Sequence, residues 1–398
     1  MNKEKIYLDN ASTTNLGAEV ANAMIPVMTS VFGNASSNHS FGAEAMSYVE
    51  NSRETIAETI NSRADEIYFT ASGSEANSMA IVGIANANRN KGNHIIVSKI
   101  EHSSILEACN YLEHEGFEVT YLDVDRNGFI KFTDFLRALR SNTILISICA
   151  ANNELGTIQN IKAISQTAHE KGVIFHTDAV QLYGNMDIDV VDLGIDAMTI
   201  SAHKIYGPKG VGALYVSNSV KIDPVIFGGN QERNKRGGTA NTAGIVGFAK
   251  ACEVAMRDMR TNNHKVRSLS EYFVSKLADS VENIIFNANT KQKLPHIISV
   301  TFVGVDGESL LTKLDINGIA VSSGSACSND YLSVSHVMAA IGLNNDDARC
   351  TVRFSLGKNN SYEELDKAVA IITRSVEELR EFSSTYGMKT RKRKGDNK

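Results

Sequence analysis

Along the chain, short β-rich apolar runs alternate with amphipathic stretches of helical period. "EIYFT" (66–70) precedes "ASGSEANSMAIVGIANA" (71–87), and "HIIVSK" (94–99) precedes "SSILEACNYLEHEG" (103–116). "TILISICAA" (143–151) precedes "NIKAISQTAHEKG" (160–172), which leads into "VIFHTDA" (173–179). Strand, loop, helix and strand at this pitch predict an α/β fold with a mostly parallel sheet covered by helices. From about residue 261 the pattern restarts: helical "SLSEYFVSKLADSV", the strand "HIISVTFV", helical "ESLLTKLDI" closed by Asn317-Gly318, then "AVSSGSACSND". A last helix is predicted after Ser361, with Glu364 completing a capping box and Leu365, Val369, Ile372, Val376 and Leu379 on one face. The pattern therefore predicts a large domain over 16–260, a smaller α+β domain built from 1–15 and 261–385, and a basic tail over 386–398. No internal repeat is present.

Ligands of a parallel sheet bind beyond the carboxyl ends of its strands, so the loops that follow strands carry the chemistry. They read "ASGSE", "IEHSS", "NNELG", "DAVQ" and "SAHK". Lys204 follows the apolar run 197–200 and is flanked by Ser201, His203 and the turn Gly207-Pro208-Lys209-Gly210. A lysine desolvated there, among donors and cations, is an amine suited to a Schiff base, as pyridoxal phosphate requires. That cofactor further needs a phosphate cradle, a carboxylate on its pyridine nitrogen and a group against its ring face. The Gly73-Ser74 turn opening a helix suits the phosphate, and serves equally as a simple capped turn. Asp178 ends an apolar strand, where a carboxylate is expected to meet a cation, either a pyridinium or an arginine. His102 fits a ring face or the protein surface.

Composition narrows the rest. A net charge of -5 argues against nucleic acid or an anionic membrane as the main partner, and no run of about eighteen apolar residues predicts a membrane span. The start "MNKEKIYLDN" carries no apolar signal segment, so a cytoplasmic protein is expected. Five cysteines without a C-x-x-C pair predict neither a disulfide framework nor a zinc site. Cys109, Cys149 and Cys252 fall inside helix or strand patterns, and Cys350 precedes the strand "TVRFSLG". Cys327 lies in a Ser/Gly-rich loop, where a thiolate can reach a ligand. "DVDRNGFIKFTD" sets Asp123, Asp125, Asn127, Gly128 and Asp134 at calcium-loop spacing, but "FEVTYL" before it reads as a strand, so a βα turn is expected and no metal.

Taken in order, "YLDNASTT", the "EH" of "IEHSS", "NNELG", "HTDAVQ", "HKIYGPKG", "SSGSAC" and "VRFSLG" resemble the NifS/IscS-like cysteine desulfurases over essentially the whole chain. These belong to the class V aminotransferase group. The resemblance implies a fold-type I architecture and pyridoxal 5'-phosphate on Lys204, with Asp178 at the pyridine nitrogen, Gln181 and Asn153 at the ring hydroxyl, and His102 stacked on the ring. It implies a phosphate held by Gly73, Ser74, Ser201 and His203, joined by Thr239 from a second subunit, hence a homodimer. Arg353 would clamp the carboxylate of L-cysteine. Cys327 would receive its sulfur as a persulfide, leaving L-alanine, and pass it to sulfur-acceptor proteins for iron–sulfur clusters, tRNA, thio-cofactors or DNA. Another class V lyase or aminotransferase, or a weakly active scaffold for sulfur carriers, is the alternative. The chain departs from the common T-S-G-x-T-E-S pattern at Thr70-Ala71-Ser72-Gly73-Ser74-Glu75-Ala76, from a usual proline at Ala35, and from a common serine or alanine at Gly237.

Overall fold

A computed structural model describes residues 5–323 and 334–381. Its main sheet has seven strands in the order Ile67–Thr70, Gly212–Val216, Ala197–Ser201, Ile174–Asp178, Thr143–Ser147, His94–Ser98 and Glu118–Leu122. All neighbours are parallel except Gly212–Val216, which runs against both of its partners. The central strands are buried along their whole length, as an apolar run without alternation demands of a sheet covered on both faces. One core lies on each side: Ile96, Ile146, Phe175, Met198 and Phe248 on one, Ile95, Val97, Leu145, Ile81 and Ile84 on the other. The strand Glu118–Leu122 leads into the turn at Asp125, whose carboxylate accepts from the N–H groups of Asn127 and Phe129 at 2.8 and 3.0 Å. The β reading of "FEVTYL" holds.

A second, antiparallel sheet orders Ser322–Ser323, Thr351–Ser355, Ile297–Phe302 and Ile284–Phe286. Its core includes Val300, Phe302, Phe354, Leu365 and Ile372, and each such side chain contributes about 1.5–3 kcal/mol by leaving water. The final helix, Tyr362–Glu381, starts with the expected reciprocal cap: Glu364 N donates to Ser361 Oγ at 3.2 Å, and Ser361 N to the Glu364 carboxylate at 3.1 Å. Leu365, Val369, Ile372 and Val376 are buried on its inner face.

The helix expected around residue 268 begins much earlier. It runs unbroken over Thr242–Ser280, 39 residues capped by Asn241, because nothing between Gly247 and Ser280 breaks the helical pattern. Its first half packs into the core of the large sheet through Ile245 and Phe248, its second half into the smaller core through Leu269, Phe273 and Leu277.

Candidate active site

All five βα loops open on one edge of the main sheet, and there they line a cavity of about 620 Å³. Every expected site residue among those described reaches it except Thr239: Gly73, Ser74, His102, Asn153, Asp178, Gln181, Ser201, His203, Lys204 and Arg353. Thr239 lines a separate recess with Phe69, Gly210, Glu232 and Arg236. Cys327 lies outside the described residues.

The edge is shaped by close backbone approach. A Cβ on Gly212 would fall 2.8 Å from the carbonyl carbon of Ser72, and one on Gly73 would fall 3.1 Å from Val180 Cγ2. Glycine at both positions lets the turn opening the helix Gly73–Asn88 settle over the strand ends. Ser72 caps that helix by accepting from Glu75 N at 3.1 Å, and Gly73 and Ser74 at its start line the cavity. Nearby, the Ser201 hydroxyl is buried with no hydrogen-bond partner among the described residues. His203 shares a hydrogen with Thr13 Oγ1 at 3.1 Å, and burial, helped by the charges of Lys204 and Lys209, pulls its ring down to about 4. It is therefore neutral at pH 7.

Asp178 was expected to meet a cation. Among the described residues it meets no arginine: its two oxygens accept from neutral donors, Val180 N at 2.9 Å and Asn77 Nδ2 at 2.7 Å, which leaves the pyridinium alternative. Each oxygen of the buried carboxylate thus has an N–H donor. Asn77 also donates to Ser104 Oγ at 2.9 Å, so that hydroxyl's own hydrogen goes to His102 Nδ1, 2.8 Å away. Ser104 N donates to the same ring nitrogen at 3.2 Å, as His102 caps the helix Ser103–His114. With Nδ1 accepting, the neutral ring carries its proton on Nε2.

Lys204 sits in a 3₁₀ turn, and its Nζ donates to the carbonyls of Ala11 and Ser12 at 2.5 and 2.7 Å. Gln181 Nε2 donates to the same Ala11 oxygen at 2.9 Å. The donors and cations expected around the amine are thus joined by acceptors from an N-terminal strap. That strap also holds Arg353, which is 4% exposed: one nitrogen reaches Asp9 Oδ1 at 2.9 Å and Ser12 Oγ at 2.5 Å, another the Asn153 carbonyl at 2.9 Å. The Arg353 Nε is buried without a partner among the described residues. Tyr206, two residues after the lysine, has a φ of +64°, an outlier for a bulky side chain. Thr14 Oγ1 accepts from its N–H at 2.8 Å and its hydroxyl accepts from Lys358 N at 2.9 Å, which ties the lysine turn to the N-terminal strap and to the loop after the strand Thr351–Ser355.

Two acids were missed in the sequence. Glu101 is fully buried; its Oε1 accepts from Ser98 Oγ at 2.6 Å and Cys149 N at 3.0 Å, its Oε2 has no partner among the described residues, and burial raises it to about 8. Glu154 accepts from Ser335 Oγ at 2.7 Å and is raised by burial to about 7. Both lie inside the quoted "IEHSS" and "NNELG", where their burial had no local signal. The four described cysteines are all buried, and burial pushes the Cys109 and Cys252 thiols up to about 12 and Cys149 well above its usual value. None of these three is a ready thiolate.

The donor set fits pyridoxal phosphate. A buried hydroxyl without a partner among the described residues and a helix N-terminus suit a phosphate dianion, the Asp178 carboxylate suits a pyridinium, and a lysine lies within the same cavity. The Arg353 Nε, without a partner among the described residues, leaves a guanidinium donor for a small carboxylate.

Comparison with known proteins agrees. The aminotransferase class-V family matches residues 6–368. A cysteine desulfurase IscS of Dictyoglomus turgidum is 47% identical over 381 residues, which cover 96% of this chain and 97% of that protein. A solved structure described as a NifS-like protein aligns with a TM-score of 0.89 at 34% identity, covering 94% of this chain and 100% of the other. Another, described as SspA in complex with cysteine, aligns with a TM-score of 0.80 at 36% identity, covering 90% and 100%.

Proposed function

Because this chain belongs to the class-V aminotransferase family, with its fold-type I architecture, we propose that it is a pyridoxal 5'-phosphate-dependent cysteine desulfurase converting L-cysteine to L-alanine. The observation that carries this reading is the convergence of Lys204, Asp178 and Arg353 on one cavity of cofactor size.

Gly73, Ser74, Ser201 and His203 hold the phosphate, Asp178 takes the pyridine nitrogen, Gln181 and Asn153 the ring hydroxyl, and His102 the ring face. When bound, the cofactor supplies an electron sink that acidifies the substrate's α-hydrogen and weakens its carbon–sulfur bond. Arg353 would hold the substrate carboxylate and so fix the orientation of its α-carbon in the cavity. Lys204 Nζ moves the α-proton, and the carbonyls of Ala11 and Ser12 receive that amine when it is protonated. His102, its Nδ1 engaged by Ser104, takes part in proton exchange at the ring face. The Cys327 thiolate attacks the substrate sulfur: the S–S bond forms as the carbon–sulfur bond breaks, and the electron pair leaves with carbon, which is protonated on the way to alanine. The resulting Cys327 persulfide passes to a sulfur-acceptor protein.

A homodimer completes the site by bringing Thr239 to the partner's phosphate. Exposed apolar side chains support it: Met28 on the helix Ala18–Ser30, Phe32 just after it and Phe41 on the helix Ser40–Glu58, with the two phenylalanine rings 5.2 Å apart, and Phe227, 82% exposed, on the loop leading to Thr239. The free thiols of the four described cysteines fit the cytoplasm.

The test is alanine released from L-cysteine with a thiol reductant. Wild type should release it and Cys327→Ser should not. Release by neither protein with the cofactor bound would exclude the desulfurase reading; equal release by both would remove Cys327 from it.

A further inference from the structure

The helix that faces the cofactor's phosphate carries an acid in its own first turn. Glu75 lies next to Ser74, two residues into the helix Gly73–Asn88. Its Oε2 accepts from Ala71 N at 3.0 Å, so the carboxylate folds back over the end of the helix where the phosphate is held. A helix N-terminus favours one anion through its dipole and its unpaired N–H groups, but a carboxylate within the same turn as a dianion repels it. The chain neutralises that carboxylate from a distance. Arg236 Nε donates to Glu75 Oε1 at 2.7 Å and another guanidinium nitrogen approaches Oε2 at 3.3 Å. This fork engages both oxygens, and the two side chains are only 20% and 18% exposed, so solvent screens the pair weakly. Arg236 itself lines the recess that holds Thr239, outside the cavity of the lysine.

We propose that Arg236 is a positioning residue for cofactor binding: by pairing with Glu75 it cancels the one carboxylate in the first turn of the phosphate-facing helix. It touches neither cofactor nor substrate and acts through Glu75 alone. The proposal rests on the reading that Gly73, Ser74, Ser201 and His203 hold the phosphate, and it assigns a determinant of affinity for the phosphorylated form of the cofactor over the unphosphorylated one.

The experiment compares pyridoxal phosphate with pyridoxal, by equilibrium dialysis against full-length protein stripped of cofactor. A defect in folding or in the ring pocket weakens both ligands; a defect in the charge at the helix end weakens only the phosphorylated one. Arg236→Gln should lower the preference for pyridoxal phosphate about tenfold, with pyridoxal unchanged. Glu75→Gln/Arg236→Gln, which removes both charges, should return it to within about twofold of wild type. A double variant as impaired as Arg236→Gln, or a single variant with wild-type preference, overturns the proposal. Ser74→Ala/Ser201→Ala separates the two levels. If it loses preference while Arg236→Gln does not, the phosphate cradle stands and the role of Arg236 falls; if neither loses preference, both fall. Should Arg236→Gln not fold, the double variant and Glu75→Gln remain, and either showing a preference well below wild type overturns the proposal.

Discussion

Glu101 offers a test of the cavity's electrostatics that does not depend on turnover. It is a carboxyl with no exposure to water, one oxygen accepting two hydrogen bonds and the other none among the described residues, and its folded-state value rises to about 8 from 4.5, chiefly through burial. A raised carboxyl means that the folded protein keeps a proton that the unfolded chain gives up. Its favourable contribution is therefore complete below about pH 4.5 and is lost as pH climbs through about 8. Between those limits the loss runs at about 1.4 kcal/mol per pH unit, which amounts to about 3 kcal/mol by pH 7. Glu101→Gln keeps an acceptor for Ser98 and Cys149 and cannot ionise, but it puts an NH₂ where Oε2 has no partner, at a cost of about 1–3 kcal/mol. The variant should thus be less stable than wild type near pH 5, and the difference should reverse or vanish near neutrality. Urea unfolding of both proteins between about pH 5 and pH 9 measures it, and the quantity to read is the slope of the stability difference against pH. That slope should be close to one proton up to about pH 8 and flat above. A pH-independent difference would mean that Glu101 is already ionised in the fold, and would refute the view that burial holds its proton.

Two further outcomes are expected. Arg353→Ala should raise KM for L-cysteine about 30-fold or more, since a buried charged hydrogen-bonded partner is worth about 2–5 kcal/mol, and Arg353→Lys, lacking the fork, should recover little of this; an unchanged KM removes Arg353 from the carboxylate site. His176, buried between Ser147 Oγ and Thr199 Oγ1, is pulled down to about 3, so its contribution to stability is complete above pH 6.5 and is lost as pH falls from there towards 3. NMR of labelled histidine should find this ring still neutral at about pH 5, and a ring titrating near its ordinary value would contradict the burial seen here.

What could be read in the chain was what repeats locally. Asp178, Ser201 and Lys204 end or follow apolar strands, and the rule that a parallel sheet binds ligands beyond its carboxyl ends was enough to gather them with Gly73, His102 and Asn153. The reciprocal cap of Ser361 and Glu364 was legible for the same reason, three residues being its whole extent. What escaped was the wiring between units. Asp9 and Ser12 stand in a quoted motif, yet their partner Arg353 lies 344 and 341 residues away, and no local pattern announces which cation a strap will meet. The link from Asp178 through Asn77 and Ser104 to His102 crosses three βα units, with separations of 101 and 27 residues in its first two steps. Of the two cations open to Asp178 in the sequence, the arginine is not met among the described residues, because the fold satisfies the carboxylate with one backbone N–H and one amide, contacts that no local pattern announces. The same limit explains the helix across residue 261. A domain change read from pattern looks for a break, but Thr242–Ser280 changes cores without changing its backbone, because only the identity of its packing partners differs between Phe248 and Phe273. One rigid helix therefore serves both the sheet that carries Lys204 and the sheet that carries Arg353. The strap at 9–12 then needs only to bridge the last few ångströms between them, holding Lys204 by its carbonyls and Arg353 by its side chains.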